Sequence, residues 1–180
     1  MEFIQNIDNV VLEFIRIHMS SGILDQTMPF ITKLGNSGLI WIVAALVFLA
    51  SKKYRTDGLL LVISLLLCGL IGNIILKPLI ARIRPFDVNT AIQLLIARPI
   101  DFSFPSGHAM SSFAAATVIF HANSSMGIAA FILAALIAFS RLYLYVHYPS
   151  DIIAGILIGV FISTATIYIF NLKTKEEKSL

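Results

Sequence analysis

The chain has 180 residues, 58% of them hydrophobic and only 13% charged, with a mean hydropathy of +0.89 and a net charge of +3. A soluble domain carries about 45–50% apolar and about 25% charged residues, so this composition excludes a soluble globular protein. The small charge does not suggest a nucleic-acid partner, and a lone cysteine, Cys68, excludes a disulfide framework and argues against a thiol metal cluster.

At the amino terminus Phe3, Ile4, Ile7, Val10, Val11 and Phe14 recur at helical spacing, while Gln5, Asn6, Asp8, Asn9, Glu13 and Arg16 fill the other face. This pattern predicts an amphipathic helix over 1–20 lying in the membrane interface, with packing against the bundle as a compatible alternative. No basic stretch precedes its apolar residues, so no cleavable signal peptide is expected. A spanning helix needs about 20 mostly apolar residues. Five stretches approach this: 36–51, 58–77, 106–121, 126–147 and 150–171, the first short and open to an earlier start near Met28. The expectation is an all-α, polytopic membrane helix bundle of about five transmembrane helices plus the interfacial helix. It forms one domain over 1–180, with its core at 36–171. No internal repeat or low-complexity linker divides it.

Lys and Arg in short loops mark the cytoplasmic side. Lys52, Lys53 and Arg55 lie between the first two spans, and Lys173, Lys175 and Lys178 follow the last, which five spans place on the same side. Residues 1–35, with four acids against two bases, then lie outside. Lys77, Arg82, Arg84, Arg98 and Arg141 break the rule by falling at the outer face, where cations point to a ligand.

The same face receives Ser106, Gly107 and His108 at the start of the third span, Arg141 and His147 at the end of the fourth, and Asp151 at the start of the fifth. Pro105 and Ser106 read as a helix start with Ser106 as N-cap. Its free N–H groups and the positive end of the dipole make an anion site, and Gly107 admits close approach of a ligand. Lys77, Arg84 and Arg141 add fixed positive charge, and arginine forks match phosphate oxygens. Asp151 lies four residues beyond His147, across Pro149, where a carboxylate fixes the ring tautomer and frees the other nitrogen as a nucleophile. His108 is suited to protonate a leaving oxygen.

Three spaced motifs carry a resemblance. KPLIARIRP (Lys77 to Pro85), PSGH (Pro105 to His108) and SRLYLYVHYPSD (Ser140 to Asp151) match K-x6-R-P, P-S-G-H and S-R-x5-H-x3-D in order and without substitution. The chain resembles the type 2 phosphatidic acid phosphatase superfamily. The resemblance implies that Lys77, Arg84 and Arg141, with Ser106 and Gly107, bind the phosphoryl oxygens. It implies that His147 attacks phosphorus and becomes a phosphohistidine, that Asp151 orients it, and that His108 protonates the leaving group and then activates water. It implies no metal and no cofactor, and the sequence offers no carboxylate cluster for magnesium.

On this reading the substrate is a membrane lipid phosphate taken from the bilayer at the extracytoplasmic face of the plasma or inner membrane, with no nucleic acid and no obligatory protein partner. Small size and the short linker 86–104 resemble bacterial enzymes acting on undecaprenyl diphosphate. A phosphatidylglycerophosphate or phosphatidate phosphatase, a lipid A phosphatase and a lipid phosphotransferase are the alternatives. Arg82 and Arg98, outside the motifs, read as interfacial anchors. Phe102 and Phe104 read as core, Tyr143, Tyr145 and Tyr148 as an interfacial belt, and Gly155 and Gly159 as a close-packing pair within the bundle. Asn73, one turn before Lys77, reads as its support or as a bond to a neighbouring helix.

Overall fold

The computed structural model describes residues 2–177, and every regular element among them is helical. Lys178 lies outside the described residues. Helix α1 (Glu2–His18) is followed by α2 (Gly22–Leu34), α3 (Leu39–Ala50) and α4 (Arg55–Cys68). A π-helical stretch, Gly69–Leu76, continues α4 into α5 (Lys77–Ile80); α6 (Pro85–Val88), α7 (Gly107–Ala122), α8 (Ser124–Tyr143) and α9 (Pro149–Glu177) complete the chain.

Arg55–Val88, Ser124–Tyr143 and Pro149–Glu176 are each long and apolar enough to cross a membrane, and α2 with α3 forms a fourth such unit bent by 45°. The expected first span at 36–51 is therefore the second, inner half of a broken one, and the earlier start expected near Met28 lies in its first half, α2. Its bend falls at Gly35–Gly38, where Ser37 and Gly38 take left-handed backbone (φ 52° and 69°) and no helix can continue. Helix α7, expected as a span at 106–121, has 16 residues, about 24 Å at ~1.5 Å per residue, and is packed among the others. Its buried face of Ala109, Ala114, Ala115, Ala116 and Val118 is small enough to admit close neighbours.

Two neighbours exploit this. A Cβ added at Gly159 would meet Met110 O at 2.2 Å, and one at Gly155 would meet Ser106 O at 2.7 Å, so α9 lies directly on the α7 backbone. The glycine pair packs inside the bundle, as its spacing predicts. On the opposite flank Trp41 Nε1 donates to the buried Ser112 hydroxyl (2.9 Å), tying α3 to α7. Cys68 is buried against α7 beside Met110, as a small core residue.

The helices alternate in direction, so the chain has a site end and a far end. At the far end His121 Nδ1 lies 3.0 Å from Asp57 Oδ1, linking α7 to α4, and the lysine-rich α3–α4 loop and α9 terminus lie at this end as well. Helix α1 packs on α8 and α9 with Leu12 and Ile15 buried, and it turns Phe3, Ile7, Val10 and Phe14 outward. An apolar outer face suits lipid contact. One residue departs from the expected amphipathic division: Asp8, assigned to the polar face, is 2% exposed and points into the protein.

Candidate active site

The site is built where α5, the loop before α7, the turn after α8 and the start of α9 meet. Helix α8 ends at Tyr143, four residues before the predicted end of the fourth span. The carbonyls of Ser140, Arg141 and Leu142 accept from Leu144, Val146 and Tyr145, winding the chain into a turn with Tyr145 at φ 59°. This turn, rather than a helix end, carries His147, and it aims the ring back toward the bundle axis.

His147 is 1% exposed. Its Nε2 lies 3.2 Å from Arg84 Nη1, and a guanidinium can only donate, so Nε2 is the unprotonated nitrogen. The ring proton then sits on Nδ1, which faces Asp151 Oδ2 at 3.5 Å. That separation is within ion-pair reach but long for a hydrogen bond, and Nδ1 makes none. The Asp151 carboxylate is itself fixed by Ser103 Oγ (2.5 Å), Tyr148 N (2.9 Å) and Arg82 Nη1 (2.6 Å).

Three cations line the same cavity as the His147 ring. Arg84, 2% exposed, is oriented by carbonyls: Nη1 donates to Val146 O (2.5 Å) and Nε to Asp101 O (2.8 Å). Lys77 and Arg84 share the Asp101 carboxylate, Lys77 through Oδ2 and Arg84 Nη2 through Oδ1 at 2.6 Å. Arg141 donates from Nη1 to Thr32 Oγ1 on α2 (2.7 Å), while its Nε is buried without a partner. Burial alone would raise the Asp101 carboxyl, but the Lys77 ammonium and the Arg84 guanidinium bonded to it outweigh this and hold it down at about 2. A carboxylate thus bridges two of the cations expected to take phosphate.

His108, in the first turn of α7, lies across from His147, its Nε2 2.9 Å from Asn36 Oδ1 at the bend between α2 and α3. Gly107 has its Cα so close to Asn73 that an added Cβ would fall 3.1 Å from Asn73 Oδ1. Ser106 caps α7 as its sequence predicts, accepting from Ala109 N at 3.4 Å. It is fully buried and its N–H donates to Asp151 O (3.1 Å). Its polar groups therefore hold α7 against α9, and the residues of this turn that face the cavity are Gly107 and His108.

Lys77, Arg84, Gly107, His108, Arg141 and His147 all line one cavity of about 1020 Å³. The cavity continues away from them between α3 and α4, past Ile42, Leu46, Leu65, Leu66, Leu70 and Ile74. Leu65 precedes Lys77 by twelve residues, so the apolar wall reaches roughly 18 Å below the cations at ~1.5 Å per residue. Among the described residues no three His, Cys, Asp or Glu side chains gather closely enough to hold a metal ion.

Several expectations change here. Arg82 is no interfacial anchor: it bonds Asp8 and Asp151 and stacks over Tyr148 at 4.0 Å. Tyr148 is accordingly buried rather than part of an outer belt, and Phe102 is exposed rather than core. Arg98 pairs with Asp87 at the surface. Asn73 bonds neither Lys77 nor a neighbouring helix and instead lines the cavity. Asp8, Asn36 and Asp101 escaped the sequence reading. Asp101 had a signal, as the one acid between Asp87 and Asp151.

A membrane bundle that gathers three cations and two histidines at one end of an apolar slot has the makings of a protein that acts on lipid phosphates. Residues 57–175 match the PAP2 superfamily, and the chain belongs to it: it is a membrane lipid phosphatase of the PAP2 type. It is 37% identical over 147 residues to the undecaprenyl-diphosphatase of Sulfolobus acidocaldarius, covering 81% of this chain and 70% of that one. It is 27% identical over 175 residues to the lipid A 4'-phosphatase of Bacteroides thetaiotaomicron, covering 89% and 76%. The fold matches the crystal structure of a transmembrane PAP2 type phosphatidylglycerolphosphate phosphatase from Bacillus subtilis. That match has a TM-score of 0.78 at 25% identity and covers 95% of this chain and 88% of that one.

Proposed function

We propose that the enzyme hydrolyses undecaprenyl diphosphate to undecaprenyl phosphate at the extracytoplasmic face of the cell membrane, through a phosphohistidine on His147. The observation that carries this reading is the single cavity that joins three cations and two histidines to an apolar slot between α3 and α4. Such a slot accepts a hydrocarbon chain while the cations hold its phosphate. The 37% identity to an undecaprenyl-diphosphatase supports the choice of lipid.

The terminal phosphoryl group binds among Lys77, Arg84 and Arg141, with the Gly107 backbone at the start of α7. His147 Nε2 attacks its phosphorus in line. The bond from phosphorus to the bridging oxygen breaks, and that oxygen leaves on undecaprenyl phosphate with a proton from His108. The ring proton on Nδ1 faces Asp151, whose charge stabilises the positive ring formed in this step. A water molecule then attacks the phosphohistidine, gives its proton to His108, and releases inorganic phosphate and the neutral His147 ring. The three fixed cations offset the charge of the transferred group.

The test is phosphate release by purified enzyme in detergent from undecaprenyl diphosphate, phosphatidylglycerophosphate, phosphatidate and lipid A, with His147→Ala as the blank. Preference for undecaprenyl diphosphate is expected. Preference for a glycerolipid or lipid A would reassign the substrate, and transfer to a second lipid instead of water would make the enzyme a phosphotransferase.

A further inference from the structure

Arg82 stands two residues before Arg84 but turns away from the phosphate cavity. Its Nη1 donates to Asp151 Oδ1 (2.6 Å) and Ser150 Oγ (2.7 Å), and its Nη2 donates to Asp8 Oδ2 and Gln5 Oε1 (2.7 Å each). Asp8 also accepts from the Ser150 backbone N–H (2.8 Å) and its hydroxyl (2.5 Å). The amino-terminal helix, outside the segment 57–175 that matches the family, is thereby wired to the carboxylate behind His147.

Burying Asp8 ties α1 to α9 through Arg82 and Ser150, but at a desolvation cost. A carboxylate taken out of water costs free energy that its partners at best offset, and an amphipathic helix offers it a solvated face. Its value lies in the charge count. Arg82 alone would cancel the charge of Asp151, the only carboxylate that faces the His147 ring. Arg84 and Arg141 act on that ring, Lys77 and His108 share its cavity, none of them is an anion, and Asp101 bridges Lys77 and Arg84 on the cavity side. With Asp8 present, the Asp8–Arg82–Asp151 cluster carries one net negative charge, next to the ring that becomes positive in the transfer.

We propose that Asp8, acting through Arg82, is a positioning residue for the reaction centre: it neutralises the guanidinium that clamps Asp151, so that the Asp151 carboxylate keeps its charge for the His147 ring. This rests on the reading of His147 as the nucleophile. It makes α1 part of the active-site architecture and separates two tasks in the KPLIARIRP segment. Arg84 faces the phosphate, and Arg82 faces the carboxylate behind the nucleophile.

The experiment compares Asp8→Asn, the double variant Asp8→Asn/Arg82→Gln, and Asp151→Asn with the wild-type full chain in detergent. The probe is whichever lipid of the panel above the wild type hydrolyses fastest, with kcat and KM measured separately. Asp8→Asn should lower kcat about tenfold and leave KM within about twofold, because Asp8 does not line the cavity. The double variant restores the net negative charge by removing the cation as well, and should regain at least about threefold over Asp8→Asn. A purely structural role predicts a further loss instead. Asp151→Asn should lose about 10³-fold or more. If Asp151→Asn turns over like the wild type, the Asp151 carboxylate is not needed and the role of Asp8 falls with it; turnover by His147→Ala in the same assay is the separate outcome that would end the nucleophile reading. If Asp151→Asn is crippled while Asp8→Asn stays within twofold of wild type, or while the double variant is slower than Asp8→Asn, only the role of Asp8 is overturned. Should Asp8→Asn fail to fold, the double variant, which removes the guanidinium together with the carboxylate that offsets it, carries the test. A kcat within about tenfold of wild type supports the proposal, and any lower kcat refutes it.

Discussion

Asp101→Asn should make the enzyme less stable and yet a better binder of phosphate. Asp101 bridges Lys77 and Arg84 with its carboxylate, so an incoming phosphoryl group must compete with an anion already in place. Its carboxyl is held at about 2 against an ordinary 3.8, which corresponds to about 2.5 kcal/mol at ~1.36 kcal/mol per pH unit. The side chain is 50% exposed, and solvent screening reduces this to about 1 kcal/mol. The amide keeps the shape and removes the charge. Arg84 stays oriented, because the carbonyls of Val146, Asp101 and Phe102 still hold it. Inhibition by vanadate or inorganic phosphate should therefore tighten about fivefold, at ~1.4 kcal/mol per tenfold. Thermal stability near neutral pH should fall by about 1 kcal/mol. The sign with pH follows from the depressed carboxyl: its stabilisation is fully present above the unfolded value near 4 and disappears as the pH falls toward about 2. The variant should lack that loss. An inhibition constant that is unchanged or weaker would refute the competition and recast Asp101 as a residue that orients Lys77 for substrate.

Replacing Gly159 by Ala should destabilise the bundle by about 1–3 kcal/mol, since the added Cβ would sit 2.2 Å from Met110 O on the α7 backbone; a thermal midpoint equal to wild type would contradict the packing. Trp41→Phe leaves the buried Ser112 hydroxyl without its indole donor and should cost about 1–3 kcal/mol by the same measurement. Phosphate release should persist in excess chelator, because Lys77, Arg84 and Arg141 supply the charge; a loss that magnesium restores would overturn the metal-free mechanism. A cysteine at the exposed Asn89 should react with an impermeant thiol reagent on intact cells while the buried Cys68 stays silent, and labelling only after lysis would invert the topology.

Much of this architecture was legible because membrane helices announce themselves by length and apolarity, and because Lys77, Gly107, His108, Arg141 and Asp151 stand at helix ends where motif spacing reads directly. Ser106 as a cap, the start of α7 and the Gly155–Gly159 contact follow from local chemistry. The bend at Gly35–Gly38 shows only as NSG punctuation inside an apolar run, so the join of α2 to α3, and with it the approach of Asn36 to His108, was not readable. Asp8 was assigned by periodicity to a polar face. Only tertiary structure shows that this face meets Arg82, since a buried ion pair leaves no mark in the spacing of either partner. Arg82 carries no signal of its own beside Arg84, which stands in the K-x6-R-P spacing two residues away. Ser106 was legible as a cap but not as a group whose hydrogen bonds are consumed by α7 and α9.

The most direct measurement is capture of the phosphoenzyme. Purified wild type and His147→Ala are mixed with undecaprenyl diphosphate carrying ³²P in its terminal phosphate and quenched within milliseconds in alkaline detergent. Protein-bound label that survives base, is lost in acid and is absent from His147→Ala is the expected result. Label retained by His147→Ala, or turnover in the wild type with no base-stable label at any quench time, would contradict His147 as the nucleophile.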